Sequence, residues 1–245
     1  MTKILSIIIP VFNEEKTIGQ LLKKVAKVSL PQGIKKEIII VDDGSTDATA
    51  SEMFHKKLPS AGRNFKIFRH EKNLGKGAAV RTGLNHATGD FVIIQDGDLE
   101  YDPEDYNKLL QPILKNQAKI VFGTRLVNYP LKLWGKNKTV LPLHLVANRF
   151  LTSLVNFLFG SDLTDMETCY KLFARETVNK LKLQSDRFEI EPEITVKLLK
   201  LGYHIVEVPI KTKPRGYEQG KKIGFGDGLK AILTILKYKF FDNEN

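Results

Sequence analysis

Short β-branched runs alternate with segments of helical periodicity through the first half of the chain, and this alternation restricts the fold more than any other feature. Leu5 to Val11 is a continuous apolar strand, and Glu15 to Val28 sets Ile18, Leu21, Leu22, Val25 and Ala26 at helical spacing. Glu37 to Val41 reads as a second buried strand, Thr46 to Leu58 as a helix and Phe65 to Arg69 as a third strand. Gly77 to Ala87 is a helix ended by Gly89, and Phe91 to Gln95 is a fourth strand. Pro103 to Asn116 is a helix with proline at its opening, and Lys119 to Gly123 is a fifth strand. Strands that are apolar throughout bury both faces. The pattern therefore predicts an α/β fold with a mostly parallel central sheet flanked by helices.

The second half is less regular. Leu126 to Leu145 is rich in Pro, Gly, Lys and Asn and is expected to be a loop excursion. Val146 to Phe159 and Glu191 to Leu201 are expected helices, and His204 to Pro209 a short strand. Lys213 to Lys222 is basic and glycine-containing and is expected to be mobile. Gly228 to Phe241 is a final helix with Leu and Ile on one side and Lys230, Lys237 and Lys239 elsewhere. No repeat or domain boundary interrupts the 245 residues, so a single domain is expected.

Bulk properties narrow the partners. The only cysteine, Cys169, excludes an intrachain disulfide and fits a reducing, cytosolic compartment. No segment offers the ~18 consecutive apolar residues of a spanning helix. The nearest, Phe150 to Phe159, is too short and carries Thr152, Ser153 and Asn156. The net charge of +10 favours an anionic partner: nucleic acid, an acidic membrane face or phosphorylated substrates. The lysines and arginines are spread along the chain without an aromatic-basic module, which argues against a nucleic-acid-binding protein or metal nuclease.

Beyond the carboxyl ends of parallel strands lies the usual ligand site of such a sheet. Asn13-Glu14 follows the first strand, Asp42-Asp43-Gly44-Ser45 the second and Asp96-Gly97-Asp98-Leu99-Glu100 the fourth. Asp96 and Asp98, with Gly97 allowing a tight backbone path and Glu100 adding a third carboxylate, suit a hard divalent cation such as Mg²⁺ or Mn²⁺. Asp42 and Asp43 are placed to accept hydrogen bonds from a nucleobase or ribose; the alternative is a capped helix entry in which Asp43, Ser45 and Asp47 satisfy free backbone N–H groups. Asn73-Leu74-Gly75-Lys76-Gly77 opens a helix with glycines and a lysine, a natural anion site, but it has neither Walker nor dinucleotide spacing. The five histidines show no zinc spacing, and no Gly-x-Ser-x-Gly elbow is present.

Taken together, Ile9-Pro10-Val11-Phe12-Asn13-Glu14, Val41-Asp42-Asp43-Gly44-Ser45-Thr46-Asp47, Asn73-Leu74-Gly75-Lys76-Gly77 and Gln95-Asp96-Gly97-Asp98 resemble glycosyltransferase family 2 in order and spacing. Within it the chain is most similar to the polyprenyl-phosphate (dolichyl-phosphate) sugar synthases, mannosyl or glucosyl. That likeness rests on Gly123-Thr124-Arg125, Thr164 to Lys171, Glu189-Ile190-Glu191 and Arg215 to Gly228. Cys169-Tyr170-Lys171 departs from the family's commoner Gly-Phe-Arg.

The resemblance implies a GT-A (Rossmann-like) fold and inverting transfer of a hexose from a GDP-mannose or UDP-glucose type donor to polyprenyl phosphate. Transfer to a soluble glycan or other hydroxyl acceptor is the alternative. It further implies that residues 1–125 bind the nucleotide sugar and 126–245 the acceptor, the latter carrying the basic amphipathic C-terminal helix. Pro10, Phe12, Asn13, Glu14, Asp42, Asp43, Lys76, Gly77, Asp96, Gly97 and Asp98 would hold the donor. Asp96, Asp98 and Glu100 would hold the metal. Arg125, Arg215, Lys221 and Lys222 would meet phosphates, with Asp165, Glu167 and Glu191 acidic groups near the acceptor. An alcohol acceptor would need a base, for which Asp165 or Glu191 is available, whereas a phosphate acceptor is already ionised. A lipid acceptor would also require peripheral membrane contact, at the cytoplasmic face, through Phe150 to Phe159 and the last helix.

Overall fold

The computed structural model describes residues 2–55, 65–127, 131–132 and 139–242. Its centre is a seven-stranded sheet. Strand β1 (Ile4–Val11) lies between β2 (Lys35–Asp42) and β4 (Phe91–Ile94), parallel to both, and β3 (Phe65–Arg69) extends the sheet beyond β2. Leu5, Ile7, Ile8 and Ile9 are fully buried, as are Ile39, Ile40 and Val41. Burial of one such side chain contributes about 1.5–3 kcal/mol, and β-branched residues suit the pleat. Helices α1 (Ile18–Lys27), α2 (Thr49–His55) and α3 (Lys76–His86) connect these strands. Gly83 lets α3 approach the sheet closely, since a Cβ there would lie 2.3 Å from Ile8 Cγ2.

The sheet order is β3-β2-β1-β4-β6-β5-β7, where β5 is Ile120–Thr124, β6 is Lys171–Ala174 and β7 is Val206–Pro209. β6 runs antiparallel to both β4 and β5, whereas β7 is parallel to β5. The expected mostly parallel sheet is thus present with one reversed strand. The sequence pattern does not reveal β6, because it is only four residues long and opens with a lysine.

Other differences concern boundaries. The helix expected from Pro103 begins as a 3₁₀ turn, Pro103–Asp105, and continues as α4 (Tyr106–Leu114). Asp102 accepts the Glu104 N–H at that opening. The helix expected at Thr46 to Leu58 starts at Thr49, and its end lies outside the described residues. Much of the expected loop excursion also lies outside them, and α5 (Pro142–Phe159) starts four residues before Val146. Short α6 (Arg175–Val178) was not expected; α7 (Ile190–Lys200) agrees with the reading to within a residue at each end. α8 (Phe225–Phe240) starts three residues early, with Asp227 accepting the Gly224 N–H at its cap.

Two apolar clusters hold the molecule. The larger one lines the sheet. The smaller joins α5, α7 and α8 through Leu151, Val155, Val196, Ala231, Ile235 and Tyr238, with Met166 from the preceding loop. The parallel register sends the carboxyl ends of β1, β2 and β4 to one edge, where the acidic loops gather.

Candidate active site

The loops after β1 and β2 are tied to one another before any ligand is considered. Asn13 adopts the left-handed conformation that asparagine tolerates, with φ of 50°. Its backbone N–H donates to Ser45 Oγ at 3.0 Å, and its Oδ1 accepts from the Thr46 N–H at 2.9 Å. Asp42 accepts the Ser45 N–H at 2.9 Å. Asp43 is a knot: its carboxylate accepts the backbone N–H of Leu74 and Gly75, the Asn73 amide, and a hydrogen bond with His70. Asp43 thus satisfies backbone N–H groups ahead of α3, and at the start of α2 it is Asp47 that accepts, from the Thr49 N–H at 2.9 Å.

The glycine turn itself is filled by protein. A Cβ at Gly75 would lie 2.3 Å from the Asp186 carbonyl oxygen, and one at Gly77 would lie 2.3 Å from that of Ser185. The Ala78 N–H donates to Asp186 O at 3.0 Å. The glycines therefore admit the 185–186 backbone to the start of α3, where the sequence alone suggested an anion cradle. Lys76 points elsewhere. Its Nζ lies 2.6 Å from Asp96 Oδ1 and 2.9 Å from Glu191 Oε1.

After β4, Gln95 is pinned by the hydroxyls of Tyr106 and Tyr170, and the chain turns through Asp96-Gly97-Asp98. Gly97 passes β1 closely; a Cβ there would lie 3.1 Å from Pro10 O. The two aspartates meet different cations. Burial favours a neutral Asp96, but Lys76 outweighs it and holds the carboxyl below its usual range. For Asp98, burial and then the charge of Asp96 push the carboxyl up to about 7, against the pull of Arg215.

The segment before α8, expected to be mobile, is anchored across these loops by ion pairs. Arg215 Nη2 lies 2.9 Å from both Glu14 Oε1 and Asp98 Oδ2, and its Nε 3.2 Å from Glu100 Oε1. Lys221 reaches Glu100 at 3.0 Å, and Lys222 reaches Glu14 at 2.7 Å and the Phe12 carbonyl. Tyr217 holds the far side of this strap to His144 at 2.6 Å. Burial opposes ionisation of Glu14, but Arg215 and Lys222 keep its pKa low.

Arg125, Asp165, Glu167 and Glu191 occupy the neighbouring wall. Arg125 donates to both oxygens of the fully buried Asp165 at 2.7 Å, and to Tyr101 Oη at 2.9 Å. Glu191 lies between Lys76 and Lys171. Glu167 Oε1 is buried without a hydrogen-bond partner, and burial raises that carboxyl to about 7. Three groups here escaped the sequence reading: Lys171, Cys169, whose thiol donates to the Ile94 carbonyl, and Tyr101. The only signal for the first two is the departure at Cys169-Tyr170-Lys171.

A divalent cation suits this donor set in one way. Among the described residues no three His, Cys, Asp or Glu side chains converge on an ion by themselves. Asp96 and Asp98 nonetheless offer hard oxygen donors, and the Lys76 ammonium and the Arg215 guanidinium stand beside them. Mg²⁺ is commonly held by one or two carboxylates together with substrate phosphates, which is what this pair can provide.

Residues 6–182 match the family model described as glycosyl transferase family 2. The chain is 29% identical over 253 residues to UDP-N-acetylglucosamine–dolichyl-phosphate N-acetylglucosaminyltransferase of Methanococcus voltae, covering 97% of this chain and 96% of the relative. It is 28% identical to dodecaprenyl-phosphate galacturonate synthase of Rhizobium johnstonii, covering 97% of this chain and 67% of that protein. Among solved structures it is similar to glucosyl-3-phosphoglycerate synthase of Mycobacterium tuberculosis in complex with Mn²⁺, UDP and glucosyl-3-phosphoglycerate. That match has a TM-score of 0.71 at 19% identity and covers 99% of this chain and 82% of the other. The likeness extends the GT-A fold to the whole chain.

Proposed function

The chain belongs to glycosyl transferase family 2, and we propose that it carries out inverting, divalent-metal-dependent transfer of a hexose from a nucleotide sugar to a polyprenyl phosphate at a membrane surface. The observation that carries this reading is the basic strap: Arg215, Lys221 and Lys222 face the acidic loop Asp96 to Glu100 and Glu14 across the sheet edge. Such a juxtaposition suits a reaction in which two phosphorylated substrates meet.

In this reading residues 1–125 bind the donor and 126–245 the acceptor, within one catalytic unit. Pro10, Phe12 and Asn13 border the nucleoside, Asp42 and Asp43 shape its wall, and Lys76 stands at the diphosphate. Asp96 and Asp98, backed by Glu100, would hold Mg²⁺ or Mn²⁺, which when bound supplies Lewis-acid stabilisation of the departing diphosphate. The acceptor phosphate oxygen forms a bond to the anomeric carbon while the bond from that carbon to the donor diphosphate breaks, inverting the centre. A phosphate monoester has a second pKa of about 6 and arrives ionised, so it needs guanidinium and ammonium partners rather than a base. The engagement of Asp165 by Arg125 and of Glu191 by two lysines supports this choice over an alcohol acceptor. Arg215, Lys221 and Lys222 then exchange carboxylates for phosphate, and Arg125 with Asp165 braces the acceptor wall beside Glu167. The names of the two polyprenyl-linked relatives support the same acceptor class.

The test is incubation of the protein with Mg²⁺ or Mn²⁺, a short polyprenyl phosphate and a panel of GDP- and UDP-sugars, with mass spectrometry of the lipid phase. A metal-dependent glycolipid is expected. Sugar transfer to a soluble glycan but never to the lipid would move the acceptor to the alternative class.

A further inference from the structure

We infer that Lys171 is a positioning residue, acting through Glu191 to keep the Lys76 ammonium against Asp96. The inference rests on the reading of Asp96 as part of the donor site. Lys171 opens β6 and is fully buried. Its ammonium has three protons and three acceptors: Met166 O at 3.0 Å, Thr168 O, and Glu191 Oε2. An ammonium has no further donor to give, so Lys171 is saturated from within the protein. Glu191, in the first turn of α7, is buried as well; its Oε2 accepts from Lys171, and its Oε1, which has no hydrogen-bond partner, lies in ion-pair contact with Lys76 Nζ at 2.9 Å. Lys76 in turn spans Glu191 and Asp96.

The result is a line of alternating charge, Lys171–Glu191–Lys76–Asp96, running from the protein interior to the acidic loop. Each inner member is shared between two neighbours of opposite sign. The sharing fixes where the Lys76 ammonium rests. With Lys171 present, Glu191 is half satisfied by a buried partner, and Lys76 divides its attraction with Asp96. Without Lys171, Glu191 has Lys76 alone, and in a buried setting where charges are weakly screened that pull draws the ammonium off Asp96.

The experiment uses the full chain with K171M, K171Q, K171R and the double variant K171M/E191Q. Crystal structures report the distance from Lys76 Nζ to Asp96, and titration with Mg²⁺ and GDP or UDP reports donor-site affinity. K171M is expected to show Lys76 displaced from Asp96 and nucleotide binding weakened about tenfold, because the ammonium leaves the place proposed for it at the diphosphate; tenfold is the lower end of what outer partners of such a site contribute. K171Q keeps a donor for the Thr168 and Met166 carbonyls, so it carries the same test if K171M fails to fold. K171R, which keeps the charge, is expected to bind within about threefold of the parent. The double variant removes the unbalanced carboxylate and should regain most of the affinity. Lys76 unmoved in both K171M and K171Q overturns the inference, as does a double variant as weak as K171M. Displacement of Lys76 with unchanged nucleotide binding would uphold the positioning and instead remove Lys76 from the diphosphate site.

Discussion

Asp96 and Asp98 leave one loop yet answer to different cations, and that governs what replacing each should do. Asp96→Ala leaves Lys76 with Glu191, and Asp98→Ala leaves Arg215 with Glu14 and Glu100, so neither variant strands a buried charge. Both should keep a melting temperature within a few degrees of the parent. Turnover should fall by roughly 10²-fold or more, the usual effect of removing a preorganised electrostatic partner. Steady-state rates beside thermal melts check this, and full activity in either variant would remove the metal assignment. Glu167 makes a separate prediction, about pH. Its folded-state pKa, about 7, lies above the ordinary 4.5 because burial disfavours the charge. The folded chain therefore holds this proton through a range where the unfolded chain has lost it. Its contribution to stability is greatest below pH 4.5 and declines as pH rises towards about 7. Glu167→Gln should flatten that decline and raise the melting temperature at pH 8, as melts across a pH series would report.

At the scale of elements, the strap and the glycine turn carry the testable claims. Arg215 occupies the charge position beside Asp98 that a divalent ion would share. Arg215→Met should therefore bind Mn²⁺ several-fold more tightly without nucleotide while KM for the lipid phosphate rises, the signature of lost uniform binding. Mn²⁺ titration by electron paramagnetic resonance reads the first effect, and unaltered affinity would mean that the guanidinium does not compete. Gly77→Ala places a methyl 2.3 Å from the Ser185 carbonyl and should destabilise the chain by about 1–3 kcal/mol. Denaturant unfolding checks that value. The same elements show how far the sequence was legible. β1, β2 and β4 were visible because each carries an unbroken run of four or more apolar residues, which a doubly covered strand tolerates. β6 was hidden because Lys171 stands inside it, paired by a glutamate twenty residues away in the chain. The acidic loops were legible because strand ends of a parallel sheet share an edge whatever the loops contain. What fills the glycine turn was not, since the 185–186 backbone that presses on it comes from a distant, irregular stretch. The strap read as mobile because lysines, arginine and glycine in sequence say nothing of the carboxylates that await them.

For the whole molecule, the question is how a chain with these helices would reach a lipid substrate. No helix of the described residues is long and apolar enough to cross a membrane. α5 and α8 pack on each other through their buried sides, yet each also carries an apolar row outward. On α5 these are Leu143, Val146, Phe150 and Phe157, with Leu143 82% and Phe157 85% exposed; on α8 they are Leu229, Leu233 and Phe240. Their spacings of three, four and seven place each set on one helical face. Lys230, Lys237 and Lys239 stand exposed on the same last helix. Shallow insertion of such a face combines apolar burial with about 1 kcal/mol per basic residue at an anionic surface. Flotation with vesicles of mixed neutral and anionic lipid should find the protein bound, more weakly as salt rises. Phe157→Glu with Leu233→Glu should reduce that binding about tenfold or more with little change in melting temperature, because both side chains already face solvent. Equal binding by this variant would take the membrane contact away from α5 and α8. A parent that sediments as a dimer, and a variant that sediments as a monomer, would assign the face to a second copy of the chain. Charge reversal at Lys230 and Lys237 separates the two forces: it should weaken binding to anionic vesicles and leave binding to neutral ones unchanged.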